Sequence, residues 1–190
     1  MDSRVAWTVL VVLVAAQRVW ELRRSARNEA RLRAMGGVEH APGQMTWMRA
    51  LHATWLAAML AEVWLLDAPF IPALAVVATL VFGIGQGIRM MAIHELGPRW
   101  TVKIMTVPGE EAMTTGLFKY IRHPNYVGVV LEIAALPLIH GAFVTSTIWS
   151  VSNVMLLRAR IRAEEAALRA DAHYEQTQGA RPRFLPRLSS

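Results

Sequence analysis

The densest run of chemically able side chains is Lys119-Tyr120-Ile121-Arg122-His123-Pro124-Asn125-Tyr126, which sets cations, an imidazole and two phenols side by side. Pro124 has no backbone N–H and steers His123 away from helical geometry, so nearby carbonyls are left to bond elsewhere, a ligand included. The same residues suit an interfacial anchor, because Tyr and Arg collect at headgroup depth for physical reasons alone. Six residues past Tyr126, Glu132 lies in an apolar run, where a carboxylate needs a partner or a function. Arg89, His52 and Arg122 are the candidate partners, and Glu62 poses the same question in an earlier apolar run. Arg158, Arg160, Arg162, Glu164, Glu165, Leu168 and Arg169 then precede Tyr174. On a continuous helix Ile161, Glu165 and Leu168 share one face, and Arg160 and Glu164 share another. A solvated amphipathic helix has this pattern. So does a wall that offers a carboxylate and an arginine to a ligand bearing both an ammonium and a carboxylate.

The elements that must position these groups are read from hydropathy. The chain has 190 residues, 54% of them apolar, above the share typical of soluble domains, and its charges fall in a few blocks. Apolar runs predict spans at about residues 5–20, 50–66, 72–93, 126–143 and 145–157, followed by a tail over 158–190. A nearly absent basic n-region and the lack of a small-x-small site favour a permanent first helix over a cleaved signal. Lys and Arg crowd the first loop (Arg23 to Arg49), the third (Arg99 to Arg122) and the tail, and are missing from the second and fourth. Under the positive-inside rule this alternation puts the N-terminus outside and the C-terminus and motifs in the cytoplasm. The expected fold is therefore an all-α integral membrane bundle, one domain over 1–190, of about five transmembrane helices with a cytoplasmic C-terminal helix.

Other chemistries thin out by composition. Cys is absent, which removes disulfides, thiolate metal sites and a cysteine nucleophile. His40, His52, His94, His123, His140 and His173 lack metal-binding spacing, so no metal is expected. The net charge of +6 sits beside apolar runs, where it serves topology and anionic headgroups; no nucleic-acid partner is expected. Gly83, Gly85 and Gly87 lie mid-span without a preceding strand, which rules out a nucleotide loop; Gly83 and Gly87 share a face suited to close helix packing.

Two motifs in order make the chain resemble the isoprenylcysteine carboxyl methyltransferase family over roughly its C-terminal half. Gly116 with Tyr120-Ile121-Arg122-His123-Pro124-Asn125-Tyr126-Val127-Gly128 is similar to an Arg-His-Pro-x-Tyr-x-Gly motif. Arg160 with Glu164-Glu165-x-x-Leu168 through Tyr174 is similar to an Arg-x-x-x-Glu-Glu-x-x-Leu tail. Gln17-Arg18 to Arg33, Gly36-Gly37-Val38-Glu39, Gln86, Arg89, His94, Leu96 to Thr101 and Glu132 resemble bacterial members, some of which methylate hydroxyls of long-chain alkylpyrones and alkylresorcinols. Two stretches depart from the pattern: Gly116-Leu117-Phe118 replaces Gly-Pro-Tyr, and Ala172-His173-Tyr174 replaces Phe-Gly-x-x-Tyr.

The resemblance implies an S-adenosylmethionine-dependent O-methyltransferase acting on a lipid-like acceptor. It implies a cofactor pocket of Arg122, His123, Pro124, Tyr126, Gly128, Arg160, Glu164, Glu165 and Tyr174, with His123, Glu132 and Arg89 as the catalytic candidates. In-line displacement at a sulfonium methyl needs an aligned oxygen more than a strong acid, although a phenol gains from a base. A membrane reductase using NADPH and a non-catalytic membrane assembly protein stay open as rival classes.

Overall fold

Asp2 starts the first helix: its side chain accepts the Arg4 backbone N–H at 3.0 Å and caps a run of good helix formers. In the computed structural model, residues 2–171 and 174–186 are described; Ala172, His173 and Arg187 fall outside them. The order is α1 (Ser3–Ala34), β1 (Val38–His40), α2 (Gln44–Leu65), α3 (Pro72–Leu96), β2 (Ile104–Thr106), α4 (Pro124–Leu138), α5 (Phe143–Asp171) and α6 (Tyr174–Gln178).

Contacts at the two ends show that α1 to α5 alternate in direction. At one end Arg4 pairs with Asp67 at 2.9 Å, and Ser3 Oγ meets His140 Nε2 at 3.2 Å. At the other, β1 and β2 pair antiparallel with Val38 opposite Thr106, and Arg160 donates to the Val102 carbonyl at 2.6 Å. The three Arg/Lys-rich segments thus gather at a single end of the bundle. Lys103 reinforces that end by pairing with Glu29 (3.2 Å) and Glu39 (3.1 Å).

The surface is inside-out for a soluble protein. Val9, Val12 and Leu13 on α1, Val76, Val77, Leu80 and Ile84 on α3, and Val151, Val154 and Met155 on α5 are exposed, while Glu21, Glu62, Arg89 and Glu132 are buried. Apolar side chains turned outward and charges turned inward are what a bilayer imposes. Among the described residues, helix 3–34 and the stretch 72–99 are long and apolar enough to cross a membrane unaided.

The core lies between Trp7, Trp55, Met59, Phe82, Ile133 and Leu136. Pro137 has no N–H to offer the Ile133 carbonyl one turn back, and the Trp55 indole takes that acceptor at 3.2 Å. The Trp7 indole takes the Leu136 carbonyl near the same helix end at 3.1 Å. Two tryptophans from α1 and α2 thus satisfy the groups that a proline-bearing α4 leaves open.

Several expectations change. The first helix does not stop near residue 20 but runs to Ala34, because Gln17, Arg18 and Glu21 turn inward to partners instead of ending the helix. The expected span 126–143 is a 15-residue helix ending at Leu138, about 22 Å long and short of the roughly 30 Å hydrocarbon core. The chain reverses at Gly141 (φ +65°), whose missing Cβ would sit 2.0 Å from the Pro69 carbonyl oxygen. The expected span 145–157 continues without a break into the tail as the 29-residue α5. Two three-residue strands interrupt an expected all-helical chain. Gly83 and Gly87 face open space, and the close approach is made by Gly85 of α3 against Gly128 of α4. Glu62 is a cap: it accepts from the Val144 and Thr145 N–H groups at 2.9 and 2.7 Å, satisfying the first turn of α5.

Candidate active site

Glu165, 1% exposed on α5, anchors the polar end of the site. His123 Nε2 lies 3.1 Å from its Oε1, and because a carboxylate only accepts, the proton between them sits on Nε2. Arg183 donates to both oxygens at 2.9 and 2.7 Å, and Arg122 and Arg169 approach at 3.4 and 3.5 Å. Burial alone would raise this carboxyl, but the hydrogen bonds from His123 and Arg183 outweigh it and hold Glu165 well below the usual carboxylate range.

The segment after α6 runs back across the His-Pro loop. The backbone N–H groups of Arg122 and His123 donate to the Pro182 and Arg183 carbonyls at 3.0 and 3.1 Å. The Arg122 guanidinium donates to the Arg181 carbonyl at 2.6 Å and to the Gly179 carbonyl at 3.1 Å. Pro124 opens α4 at its first turn, where a missing N–H costs nothing. Tyr126, one turn on, stacks on His123 at 5.4 Å, donates to Glu164, and accepts from Arg160 at 2.9 Å. Burial foremost, then the Glu165 charge, pushes the Tyr174 phenol up to about 12, so it stays neutral beneath Arg122.

A second charged cluster lies deeper. Arg89 on α3 grips Glu21 on α1 through two bonds of 2.5 Å, and Arg18 bridges Glu21 (3.0 Å) to Glu132 on α4. Gln17 donates to Glu21 and exchanges bonds of 3.1 Å with Gln86. Two arginines and two carboxylates, all buried except the partly exposed Arg18, neutralise one another between three helices.

One cavity of about 590 Å³ joins the two clusters. Its polar end is walled by Arg122, His123, Tyr126, Arg160, Glu164 and Tyr174, and its deep end by Arg18, Glu21, His52 and Arg89 beside Val19, Leu22, Met48 and Leu56. A family profile described as the isoprenylcysteine carboxyl methyltransferase (ICMT) family matches residues 73–170, which carry α3, α4 and nearly all of α5. The chain belongs to that family.

The other comparisons agree with this placement in the ICMT family. The chain is 33% identical over 85% of its length, and 95% of the relative's, to the uncharacterized protein YpbQ of Bacillus subtilis. It is 27% identical over 54% of its length to the protein-S-isoprenylcysteine O-methyltransferase of Schizosaccharomyces pombe, of which it covers 45%. The fold matches a solved structure of the eukaryotic intramembrane Ras methyltransferase ICMT with a TM-score of 0.53 and 20% identity, over 74% of this chain and about half (52%) of that one. This is a membrane-protein family of methyltransferases.

Of the nine residues the sequence assigned to an ICMT-type cofactor pocket, six line the cavity. Pro124, Gly128 and Glu165 do not. A Cβ on Gly128 would meet Arg89 Cβ and the Gly85 carbonyl oxygen at 2.7 Å, so its smallness serves helix packing. Glu165 stands behind the wall and orients His123. Of the catalytic candidates, His123 and Arg89 face the cavity, whereas Glu132 sits behind Arg18. Sequence reading missed Arg18 and Glu21 as the partners of Glu132 and Arg89, and missed Arg181 and Arg183 in the closing strap. The Gln17-Arg18-x-x-Glu21 cluster at the end of an apolar run carried the available signal; the strap carried none beyond its charge.

Proposed function

We propose that this protein transfers a methyl group from S-adenosylmethionine to an oxygen, hydroxyl or carboxylate, of a lipid-like acceptor such as an alkylpyrone, an alkylresorcinol or a prenylated compound. The observation that carries this reading is one continuous cavity that sets the motif residues at one end against Val19, Leu22, Met48 and Leu56 of α1 and α2 at the other. Two unused acceptors on its wall suit the ammonium of the cofactor's amino-acid portion: Asn125 Oδ1 and Gln178 Oε1 are buried and bond to no described residue. Tyr126, Arg160 and Tyr174 supply rings and fixed donors beside them.

When bound, S-adenosylmethionine would supply an electrophilic methyl on sulfur. The chain's own part is positioning and exclusion of water. Glu165 orders His123, the strap orders Arg122, and the buried charge cluster fixes α1 against α3 and α4 so that the deep wall keeps its shape. The acceptor's chain enters from lipid along α1 and α2. The Arg/Lys-rich end faces the cytoplasm, with the N-terminus outside.

Calorimetry on detergent-purified protein tests the reading. S-adenosylhomocysteine binding that is lost in a folded His123→Ala variant is the expected result. NADPH binding without S-adenosylhomocysteine binding would overturn it in favour of a reductase, and binding of neither in favour of an assembly protein.

A further inference from the structure

The deep end of the cavity contains an imidazole outside the site already described. His52 projects from α2 into this wall, and its Nδ1 lies 2.8 Å from the Met48 carbonyl oxygen one turn back. A carbonyl oxygen only accepts, so Nδ1 carries the ring proton and Nε2 presents a bare lone pair. Nε2 has no hydrogen-bond partner among the described residues. Glu21, the carboxylate on this wall, is committed to Arg89, Arg18 and Gln17, whereas Glu132 lies off the wall, takes Arg18 on one oxygen and keeps the other buried without a described partner. Val19 and Leu22 of α1, with Met48 and Leu56 of α2, the helix that bears His52, give this end of the cavity its apolar surface. An acceptor with its chain between these helices would present its headgroup to this imidazole, whereas His123 Nε2 is already tied to Glu165.

Resting on the methyltransferase reading, we propose that His52 Nε2 is the general base for a neutral hydroxyl acceptor, which selects a phenolic or enolic lipid over a carboxylic acid. In the step, the acceptor oxygen forms its bond to the methyl carbon as its O–H proton passes to Nε2. The carbon–sulfur bond breaks with its electron pair kept by sulfur, and the imidazolium then releases the proton to water. A carboxylate acceptor arrives ionised and needs no such base.

The test compares wild type with His52→Gln, which keeps an acceptor but cannot take up a proton, on three acceptors: a long-chain alkylresorcinol, a long-chain carboxylate, and a long-chain alkyl nitrophenol ionised at the assay pH. Loss of a general base is expected to lower kcat on the resorcinol by about 10²- to 10⁴-fold. Any rate on the nitrophenol or the carboxylate should stay within a few-fold, and S-adenosylhomocysteine affinity should be unchanged by calorimetry. Without any methyl donor, the nitrophenol titrated near its own pKa should show more phenolate absorbance when bound to wild type than to His52→Gln. Equal losses on all acceptors, no loss on the resorcinol, a wild type that methylates only the carboxylate, or no difference in bound absorbance would each overturn the role of His52 while leaving the methyltransferase reading intact. Absence of S-adenosylhomocysteine binding to wild type would instead remove the reading itself, and the base with it.

Discussion

Arg183 holds both oxygens of Glu165, at 2.9 and 2.7 Å, across a stretch of chain that includes α6. This fork fixes the carboxylate that orders His123 and draws the closing strap onto the His-Pro loop. The Arg183 side chain is half exposed, so its charge is partly screened and its main effect is geometric.

Arg183→Ala is expected to weaken S-adenosylhomocysteine binding about tenfold, or ~1.4 kcal/mol, with the unfolding midpoint shifted by only a few degrees. Arg183→Lys keeps the charge but not the fork and should recover part of the loss. Calorimetry and thermal unfolding on the same samples check both.

Glu165 makes stability pH-dependent in a defined direction. Its folded pKa lies below the unfolded value near 4.5, so its contribution is fully present above that value and is lost as pH falls through the folded one. The midpoint difference between wild type and Glu165→Gln should be widest near neutrality and shrink steadily below about pH 4.5. A difference that grew on acidification would contradict the clamp.

The buried charge cluster predicts strong coupling. Glu132→Leu leaves Arg18 and Arg89 to share Glu21 alone, an unbalanced charge between the helices, at a cost of about 3–5 kcal/mol. Arg18→Met with Glu132→Leu should cost clearly less than either single change, and a double-mutant cycle by thermal unfolding measures the difference.

The glycines separate by what a methyl group would meet. Gly128→Ala drives a Cβ into the Gly85 carbonyl and Arg89 and should destabilise by about 1–3 kcal/mol. Gly83→Ala and Gly87→Ala meet nothing within 4 Å and should be neutral or stabilise by up to about 1 kcal/mol through helix propensity.

Because the chain has no Cys, single introduced cysteines report on orientation. Arg27→Cys, at the Arg-rich end, should react with an impermeant maleimide only after cells are opened, whereas Asp67→Cys should react in intact cells.

The residues of the polar pocket were legible because they are neighbours in sequence. Arg122, His123 and Tyr126 fall within five positions and Arg160, Glu164 and Glu165 within six, and helical periodicity puts Arg160 and Glu164 on one face. Hydropathy likewise marked apolar helices, and the spacing of Arg and Lys marked one charged end. These are properties of a chain in one dimension. The helix lengths were less legible, since inward-facing Arg18 and Glu21 read as the end of a span until their partners are seen.

The tertiary structure decided what lies between distant segments. Arg18 meets Glu132 across 114 residues and Arg89 meets Glu21 across 68, and many pairings of buried arginines with buried carboxylates satisfy the same composition. Only packing chooses among them, because desolvated charges bond to whatever the helix crossings bring within reach. The Gly85–Gly128 contact sets one such crossing, and the strap that brings Arg183 back to Glu165 sets another. His52 shows the same division: sequence places an imidazole in an apolar helix, and the fold turns its free nitrogen toward a cavity that ends near His123.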